Sequence, residues 1–297
     1  PGQVVLAAFA CRLPEIFLEA MACRMPRPVW INLEYLSAEH WVADCHALPS
    51  PHPRLPLVEH FFFPGFDGRT GGVLREADYA VRRAAFSEEG FRASVGLPAR
   101  TPGELCVSLF SYENAGLADL LDCWSRAEHP VTCLVPEGRV LASLGKAFGV
   151  GHLEAGGRLR RGALSVQVLP FVEQRRYDAL LWACDLNFVR GEDSFVRAQW
   201  AERPFVWHIY PQDEDAHLVK LDAFLERFGA GLDAGSGSAL ADFWHAWNRE
   251  QGVADAWPAF EAALPALSEH AERWAAQLEA AGELASKLVQ FCKLKIE

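Results

Sequence analysis

The sequence predicts an α/β fold with two doubly wound domains, the N-terminal one incomplete in this chain. Its length of 297 residues is typical of two domains. Short apolar runs alternate with segments in which apolar residues recur every three or four positions. This alternation is typical of βαβ units and therefore of a parallel sheet with helices on its faces.

The composition excludes several classes of protein. Hydrophobic residues make up 51% of the chain, which is enough apolar mass to bury a core and excludes disorder as the main state. With 28 basic and 39 acidic residues the net charge is −11, which argues against a general nucleic-acid binder. No apolar run reaches the ~18 residues of a membrane span. We therefore expect neither a nucleic acid nor a membrane as partner.

The cysteines and histidines do not predict a disulfide framework or a metal site. The eight cysteines contain no CxxC spacing, which indicates a reducing compartment and a cytoplasmic location, with most of them expected to be small buried hydrophobic residues. His40, His46, His52 and His60 fall in one stretch without an HxxxH or HExxH spacing. The sequence therefore predicts no metal ligands.

The clearest βαβ pattern lies between residues 105 and 210. Helical faces are expected around Leu117–Trp124, Arg139–Phe148, Tyr177–Cys184 and Ser194–Ala201. Five apolar runs are predicted to be buried strands: Leu105–Phe110, Val131–Val135, Leu164–Leu169, Leu186–Val189 and Phe205–Ile209. Ligands bind at the carboxyl ends of such strands, so the loops after Phe110, Leu169, Val189 and Ile209 are expected to hold the site.

The first hundred residues resemble part of a second domain of the same kind. They contain fewer strand-like runs, at Val4–Phe9, Val29–Tyr35 and His60–Phe63, with a helix predicted over Pro14–Met25 and a proline-rich loop over residues 48–56. Two or three strands cannot complete a doubly wound sheet. We interpret this region as the second half of a domain.

The C-terminal third is predicted to be helical. Residues 235–238, Gly-Ser-Gly-Ser, are expected to form a flexible turn, with Ser238 capping a helix over residues 240–247. A long helix is expected over about residues 267–291. The predicted division is an N-terminal domain over residues 1–100, a second domain over 101–265, and a C-terminal helix over 266–297 that packs back toward the N-terminal domain.

The segment from Asp185 to Ser194 is the most informative loop. A strand ends near Arg190, Gly191 makes the turn, and Asp193 or Ser194 begins a helix. A helix N-terminus at the carboxyl edge of a parallel sheet presents free N–H groups and the positive end of the helix dipole, which suits a pyrophosphate. The guanidinium of Arg190 can add a forked pair of N–H donors to such an anion site.

Two interpretations of Glu192 and Asp193 stay open. Both carboxylates can be simple N-terminal caps, or one can accept hydrogen bonds from sugar hydroxyls while backbone N–H groups hold the phosphate.

Several aromatic and amide side chains lie at the other strand ends. Phe171 can stack on a nucleobase or belong to the core, and Gln174 can read the amide edge of the base. Phe110 and Tyr112 flank the end of the first strand of this domain. Tyr210 can donate to a phosphate or be an interface tyrosine.

Four segments are distinctive enough to compare with known families: residues 30–39 (Trp-Ile-Asn-Leu-Glu-Tyr-Leu-Ser-Ala-Glu), 62–66 (Phe-Phe-Pro-Gly-Phe), 190–195 (Arg-Gly-Glu-Asp-Ser-Phe) and 205–217 (Phe-Val-Trp-His-Ile-Tyr-Pro-Gln-Asp-Glu-Asp-Ala-His). They resemble the family of protein-arginine rhamnosyltransferases that modify bacterial elongation factor P. The resemblance implies that residues 1–100 belong to a partial acceptor-side domain and residues 101–265 to the nucleotide-sugar donor domain. The resemblance covers nearly the whole chain, and the last two motifs are long and specific.

The resemblance implies a GT-B glycosyltransferase with two Rossmann-like domains that face a cleft. It implies inverting transfer of L-rhamnose from dTDP-β-L-rhamnose to an arginine of elongation factor P, without a metal or another cofactor. It further implies that Phe171 stacks on thymine and Gln174 reads it, with Phe110 and Tyr112 nearby. Residues implied to hold the diphosphate and sugar are Tyr210, Arg190, Gly191, Glu192, Asp193 and Ser194. Among them Glu192, followed by Asp193, is the candidate catalytic group.

The sequence departs from the family pattern in one respect. The family has an aspartate-bearing loop, Asp-Asn-Phe-Gly-Asp, near its N-terminus, and one of its aspartates is the general base. No such motif occurs here. The resemblance therefore implies that the base and part of the acceptor surface lie N-terminal to Pro1.

Two other functions remain in competition with the transferase. A nucleotide-sugar epimerase of the same fold would bind the nucleotide sugar but no protein. A catalytically inactive module would bind the nucleotide sugar and do nothing further. The sequence contains no GxSxG motif and no Cys/His pair with a recognisable local signature, which argues against nucleophilic catalysis by a serine or a cysteine.

Overall fold

The structure is a computed structural model that describes residues 2–9 and 11–296, with Asp213 described in its backbone only. In chain order its elements are β1 (Val4–Ala8), α1 (Glu15–Ala22), β2 (Val29–Leu33), α2 (Trp41–Cys45), β3 (Pro49–Pro51), β4 (Val58–Phe62), α3 (Tyr79–Ala84), α4 (Glu88–Ser94), β5 (Leu105–Leu109), α5 (Leu117–Ser125), β6 (Val131–Pro136), α6 (Val140–Phe148), β7 (Arg158–Arg161), β8 (Leu164–Leu169), α7 (Gln174–Ala183), β9 (Leu186–Arg190), α8 (Asp193–Trp200), β10 (Phe205–His208), α9 (Ala216–Gly229), α10 (Ala234–Arg249), α11 (Val253–Ala281) and α12 (Leu284–Ile296), with a 3-10 turn at Asp213–Asp215. The α/β class predicted from the sequence is confirmed.

The chain divides into two compact units. The first comprises Pro1–Glu76, Asp222–Arg227 and Ala276–Glu297, and the second comprises Ala77–Leu221 and Phe228–Ala275. The sequence division ended the first domain at residue 100, whereas residues 77–100 group with the second unit. Side-chain contacts explain this difference, because Trp182 donates to the Tyr79 hydroxyl (2.7 Å) and Arg92 pairs with Glu104 (3.0 Å).

The sheet of the first unit has four strands in the order β1-β2-β4-β3, of which β3 is antiparallel. On one face Met21 of α1 packs with Val5 and Trp30. On the other face Ile31 and Phe62 pack against one side of α12, which contributes Leu284, Leu288, Phe291 and Cys292. Apolar residues on both faces explain why these short parallel strands read as continuous apolar runs.

Strand β3 corrects the prediction of a loop over residues 48–56. It pairs antiparallel with β4, with Ser50 opposite Glu59. Proline is tolerated at this position because β3 lies at the edge of the sheet, where a strand needs fewer N–H donors. The prolines that predicted the loop are therefore compatible with a short edge strand.

The sheet of the second unit has six strands in the order β10-β9-β5-β6-β8-β7. All five predicted strands are present with ends within one residue of the predicted ones, and they are parallel to one another. The sixth strand, β7, is an antiparallel edge strand that the sequence analysis missed. From β5 the chain goes first toward β6 and β8 and later returns to β9 and β10, so the order reverses between β5 and β9. Ligands bind at such a switch point in open α/β sheets.

Three predictions for the C-terminal half and the cysteines were wrong. Residues 235–238 lie inside α10, and the cap is Asp233, whose Oδ1 accepts from the N–H groups of Gly235 and Ser236 (both 3.0 Å). The single long helix is two helices, separated at Gly282, whose φ of +88° is left-handed. Of the eight cysteines, Cys106, Cys133 and Cys184 are buried and five are not.

Candidate functional site

A cavity of about 440 Å³ lies at the carboxyl edge of the six-stranded sheet, within the size range of small-molecule sites. The loops after β5, β6, β8 and β9 form its walls. Its lining includes Phe110, Tyr112, Phe171, Gln174, Arg190, Gly191, Glu192, Asp193 and Ser194. Nine of the ten predicted site residues therefore meet in one place, and the tenth, Tyr210, contacts Tyr112 with 5.6 Å between ring centroids. Their roles in binding stay predictions.

Four lining residues were not among the predicted ones: Pro136, Glu137, Val172 and Tyr177. Glu137 lies in the loop after β6, and its Oε2 accepts from the backbone N–H of Phe171 at 3.0 Å. Tyr177 of α7 lies against the ring of Phe110, with 5.6 Å between centroids. The signal for Glu137 was available, because β6 was predicted to end at the same edge as its neighbours.

The turn from β9 into α8 is built by local hydrogen bonds. Ser194 Oγ accepts from the Arg190 N–H at 2.9 Å and donates to the Arg190 carbonyl oxygen. Gly191 adopts a φ of +64°, and its carbonyl accepts from the indole N–H of Trp207 at 2.8 Å. Glu192 occupies the N-cap position but makes no side-chain capping bond. The Ser194 hydroxyl is thus used to shape the turn, and the first residues of α8 lie in the lining of the cavity.

Arg190 places a cation in the cavity wall. Its guanidinium carbon lies 4.5 Å from the ring centroid of Phe110 and 4.8 Å from that of Tyr112. Cation–π contacts of this kind hold the plane of the guanidinium without consuming its donors. Its Nε is buried with no hydrogen-bond partner. Arg190 therefore keeps donors available for an anion.

His208 lies behind this cation and is neutral near pH 7. It is paired in register with Arg190 on the neighbouring strand and is only 2% exposed. Burial, the cation of Arg190 and the nearby His217 lower the pKa of His208 to about 4. A neutral imidazole at this position adds no positive charge beside Arg190.

We expect His208 to make the protein less stable as the pH falls. Its pKa drops from 6.5 to about 4 on folding, so the unfolded chain binds the proton first and the free energy of unfolding declines as pH falls through that window. The neutral state of His208 contributes about 3 kcal/mol to the free energy of unfolding above pH ~6.5, and this contribution is lost below pH ~4. Denaturant titrations from pH 7 to pH 4 should show a shallower decline for His208→Gln. Equal declines in both proteins would contradict this role.

Asp193 is held by two protein groups. Its Oδ1 accepts from Gln174 Nε2 at 2.9 Å, and its Oδ2 accepts from Arg197 Nε at 3.2 Å. Arg197 lies one turn further along α8 and is 5% exposed. Both carboxylate oxygens of Asp193 therefore already accept hydrogen bonds from the protein.

Phe171 does not belong to the core. Its side chain is 80% exposed at the mouth of the cavity, which excludes the core interpretation left open by the sequence. Tyr210 is 60% exposed and contacts Tyr112 edge-on. Exposed aromatic rings at the rim of a polar cavity offer flat apolar faces to a ligand.

The described residues contain neither a cluster of metal ligands nor a helix that could span a membrane. Residues 2–9 and 11–296 contain no group of three or more His, Cys, Asp or Glu side chains arranged to hold a metal ion. Over the same part of the chain, every helix is too short or too polar to cross a lipid bilayer.

A family of known proteins matches almost the whole chain. Residues 1–293 match the family described as Elongation-Factor P (EF-P) rhamnosyltransferase EarP. The chain belongs to the EarP family. The family resemblance found in the sequence motifs is therefore confirmed.

Individual relatives agree with this assignment. A protein-arginine rhamnosyltransferase of Pseudomonas putida is 49% identical over 98% of this chain and 78% of its own length. A protein of the same name from Pseudomonas aeruginosa is 50% identical over the same shares of the two chains. A solved EarP structure, reported as the structural basis for EarP-mediated arginine glycosylation of translation elongation factor EF-P, aligns with a TM-score of 0.72 and 44% identity over 78% of this chain and 75% of that chain. The GT-B type of fold is confirmed by this likeness.

Proposed function

We propose that this chain is a protein-arginine rhamnosyltransferase that modifies translation elongation factor P. We further propose that it transfers L-rhamnose from dTDP-β-L-rhamnose with inversion at the anomeric carbon. Membership of the EarP family supports the reaction class. The main support for the proposed donor site is that the predicted residues converge on one cavity at the switch point of the six-stranded sheet.

The thymine base is proposed to bind between Phe171 and Gln174. Phe171 offers an exposed ring face, and its backbone is fixed by the bond from its N–H to Glu137. Stacking of a base on such a ring contributes about 1–3 kcal/mol. Gln174 carries both a donor and an acceptor, which suits the amide edge of thymine.

The diphosphate is proposed to bind at the N-terminus of α8. The first turn of that helix and Arg190 both lie in the lining of the cavity, and the first N–H groups of a helix have no partner within the helix. The N–H groups and the guanidinium can neutralise the charge that develops on the leaving diphosphate as the glycosidic bond breaks. The rings of Tyr112 and Tyr210 contact each other edge-on, and their hydroxyls are proposed as additional donors to the diphosphate.

Transfer to arginine requires removal of a proton. A guanidinium has a pKa above ~12 and a delocalised lone pair, so a carboxylate must polarise it and accept the proton as the C–N bond forms. Inversion requires this nitrogen to attack from the face opposite the diphosphate. Glu192 is proposed to stabilise the positive charge that develops on the sugar, because it lies in the lining next to Arg190 and the helix N-terminus.

The reaction is expected to proceed without a metal ion. Arg190 and the helix N-terminus supply the positive charge that a divalent cation supplies in other transferases. The rate of rhamnosylation by the natural full-length protein in excess EDTA should equal its rate in EDTA-free buffer. A loss of activity that Mg²⁺ or Mn²⁺ restores would show that a cation neutralises the diphosphate instead.

Analysis of the nucleotide products separates the transferase from the two competing functions. We expect the natural protein to release dTDP from dTDP-rhamnose only when elongation factor P is present. An epimerase would convert the nucleotide sugar without the acceptor protein. An inactive binding module would return dTDP-rhamnose unchanged in both mixtures. Either of these two results would contradict the proposed function.

A further inference from the structure

Asp178 of α7 is a buried carboxylate bound by two arginines. Its side chain is fully buried, with Oδ1 accepting from Arg197 at 2.8 Å and Oδ2 accepting from Arg82 at 2.7 Å. A buried carboxylate is tolerated only when it is paired and hydrogen-bonded. Asp178 therefore fixes the guanidinium of Arg197 from the interior of the unit.

Arg197 passes this constraint to the cavity. Its Nη1 donates to Asp178 while its Nε donates to Asp193 Oδ2. A guanidinium is planar and rigid, so the two carboxylates are held at a fixed separation. Asp193, at the start of α8, is thereby held against Gln174, with 2.9 Å between Oδ1 and Nε2.

Asp193 sets the orientation of the Gln174 amide. An ionised carboxylate only accepts hydrogen bonds, so Gln174 must present its NH₂ group to Asp193. The reversed amide would place Oε1 against a carboxylate oxygen, which is repulsive. The acceptor Oε1 and the second amide hydrogen are then left in a fixed order on the cavity side of Gln174.

We propose that Asp178, Arg197 and Asp193 are positioning residues that orient the Gln174 amide and thereby select thymine over cytosine. This inference depends on the proposed function, in which Gln174 reads the base of the donor. Thymine presents an N–H at N3 and an acceptor at O4, whereas cytosine presents an acceptor at N3 and an amino group at N4. The fixed amide matches the thymine pattern, and cytosine would require the reversed amide that Asp193 opposes.

The test is the ratio of the dissociation constants for dCDP and dTDP, measured by calorimetry. Asp193→Asn keeps an acceptor oxygen for the Arg197 Nε donor and thereby turns its own NH₂ group toward Gln174, so the reversed orientation of the Gln174 amide becomes favourable. We expect the ratio to fall on the order of tenfold, the effect of about one hydrogen bond. Asp178→Asn should also lower the ratio. The double variant should differ little from Asp193→Asn alone, because both substitutions act on Gln174 through the same chain of contacts.

Glu104→Gln is the matched control. Glu104 is also a buried carboxylate paired with an arginine, Arg92, at 3.0 Å, but it precedes β5 at the amino edge of the sheet. The Glu104→Gln variant should be less stable than the unsubstituted protein but should show the same ratio of dissociation constants for dCDP and dTDP. If Asp178→Asn does not fold, Arg197→Lys keeps the charge, removes the two-ended contact and should lower the ratio.

The outcomes distinguish this inference from the proposed function. An unchanged ratio in Asp193→Asn, or an equal fall in Glu104→Gln, would overturn the inference while dTDP binding is retained. Failure of the unsubstituted protein to bind dTDP would overturn the proposed function and the inference with it. A lower melting temperature without a changed ratio would show that the network serves stability alone.

Discussion

Replacing Glu192 with glutamine is expected to lower turnover by at least about 100-fold, which corresponds to ~2.7 kcal/mol of transition-state stabilisation. The substitution keeps the shape of the side chain and removes its negative charge. Glu192 lies in the lining of the cavity where the sugar end of the donor is proposed to bind. Because plain dTDP has no sugar, its dissociation constant should change by less than about threefold, the equivalent of ~0.7 kcal/mol.

A rhamnosylation time course and calorimetry with dTDP measure the two quantities separately. Glu113→Gln is the control, since Glu113 is an exposed acid near Tyr112 that lies outside the lining. If Glu192 served only as a negative charge at the N-terminus of α8, its glutamine variant would lose about 1 kcal/mol of stability or less and keep its turnover. That result would place the catalytic carboxylate elsewhere.

Replacing Phe171 with alanine is expected to weaken dTDP binding by roughly 10- to 100-fold, because stacking on the base is lost. The loss should be equal for dTDP and dTDP-rhamnose, since the contact is to thymine. The side chain is 80% exposed, so its truncation leaves no core cavity and the melting temperature should hardly change.

Two control variants make the Phe171 result specific. Phe171→Tyr keeps a stacking face and should bind dTDP normally. Tyr35→Ala removes another exposed aromatic ring, 55% exposed and in the first unit, and should also leave dTDP affinity unchanged. Normal dTDP affinity in Phe171→Ala would mean that thymine does not stack on this ring.

The parallel strands could be predicted from the sequence because they are buried on both faces. Runs such as residues 105–109 are buried at every position, so all of them except Ser108 are apolar and the strand is easily recognised. Edge strands lack this signal. Strand β7 reads Arg-Leu-Arg-Arg with alternating exposure, and β3 contains two prolines, so neither resembles a buried strand.

Two helix ends differ from what the composition suggested, one because of a capping hydrogen bond and the other because of a left-handed backbone conformation. Gly235 and Ser236 suggested a flexible turn, but Asp233 accepts from their N–H groups and the helix begins at Ala234, six residues before the predicted start at residue 240. At Gly282 a left-handed residue ends α11, although apolar residues at helical spacing continue past it, at Leu284 and Leu288. Both features depend on single residues, which periodicity does not register.

Most of the candidate site could be predicted because parallel strands bring their carboxyl ends to one edge. Once the strands were placed, Phe110, Phe171 and Arg190 had to lie near one another. The support behind them could not be predicted. Arg82 and Asp178 are 96 residues apart in sequence and meet only through the packing of α3 on α7. Their pairing depends on tertiary structure rather than on any local pattern.

The most direct test of the proposed function is the mass of elongation factor P after incubation with the natural full-length protein and dTDP-β-L-rhamnose. We expect a gain of one deoxyhexose on one molecule of the factor, located by fragmentation to an arginine side chain and strongly reduced with Glu192→Gln. An unchanged mass, or a sugar attached to another residue type, would contradict the assignment of this chain as a protein-arginine rhamnosyltransferase.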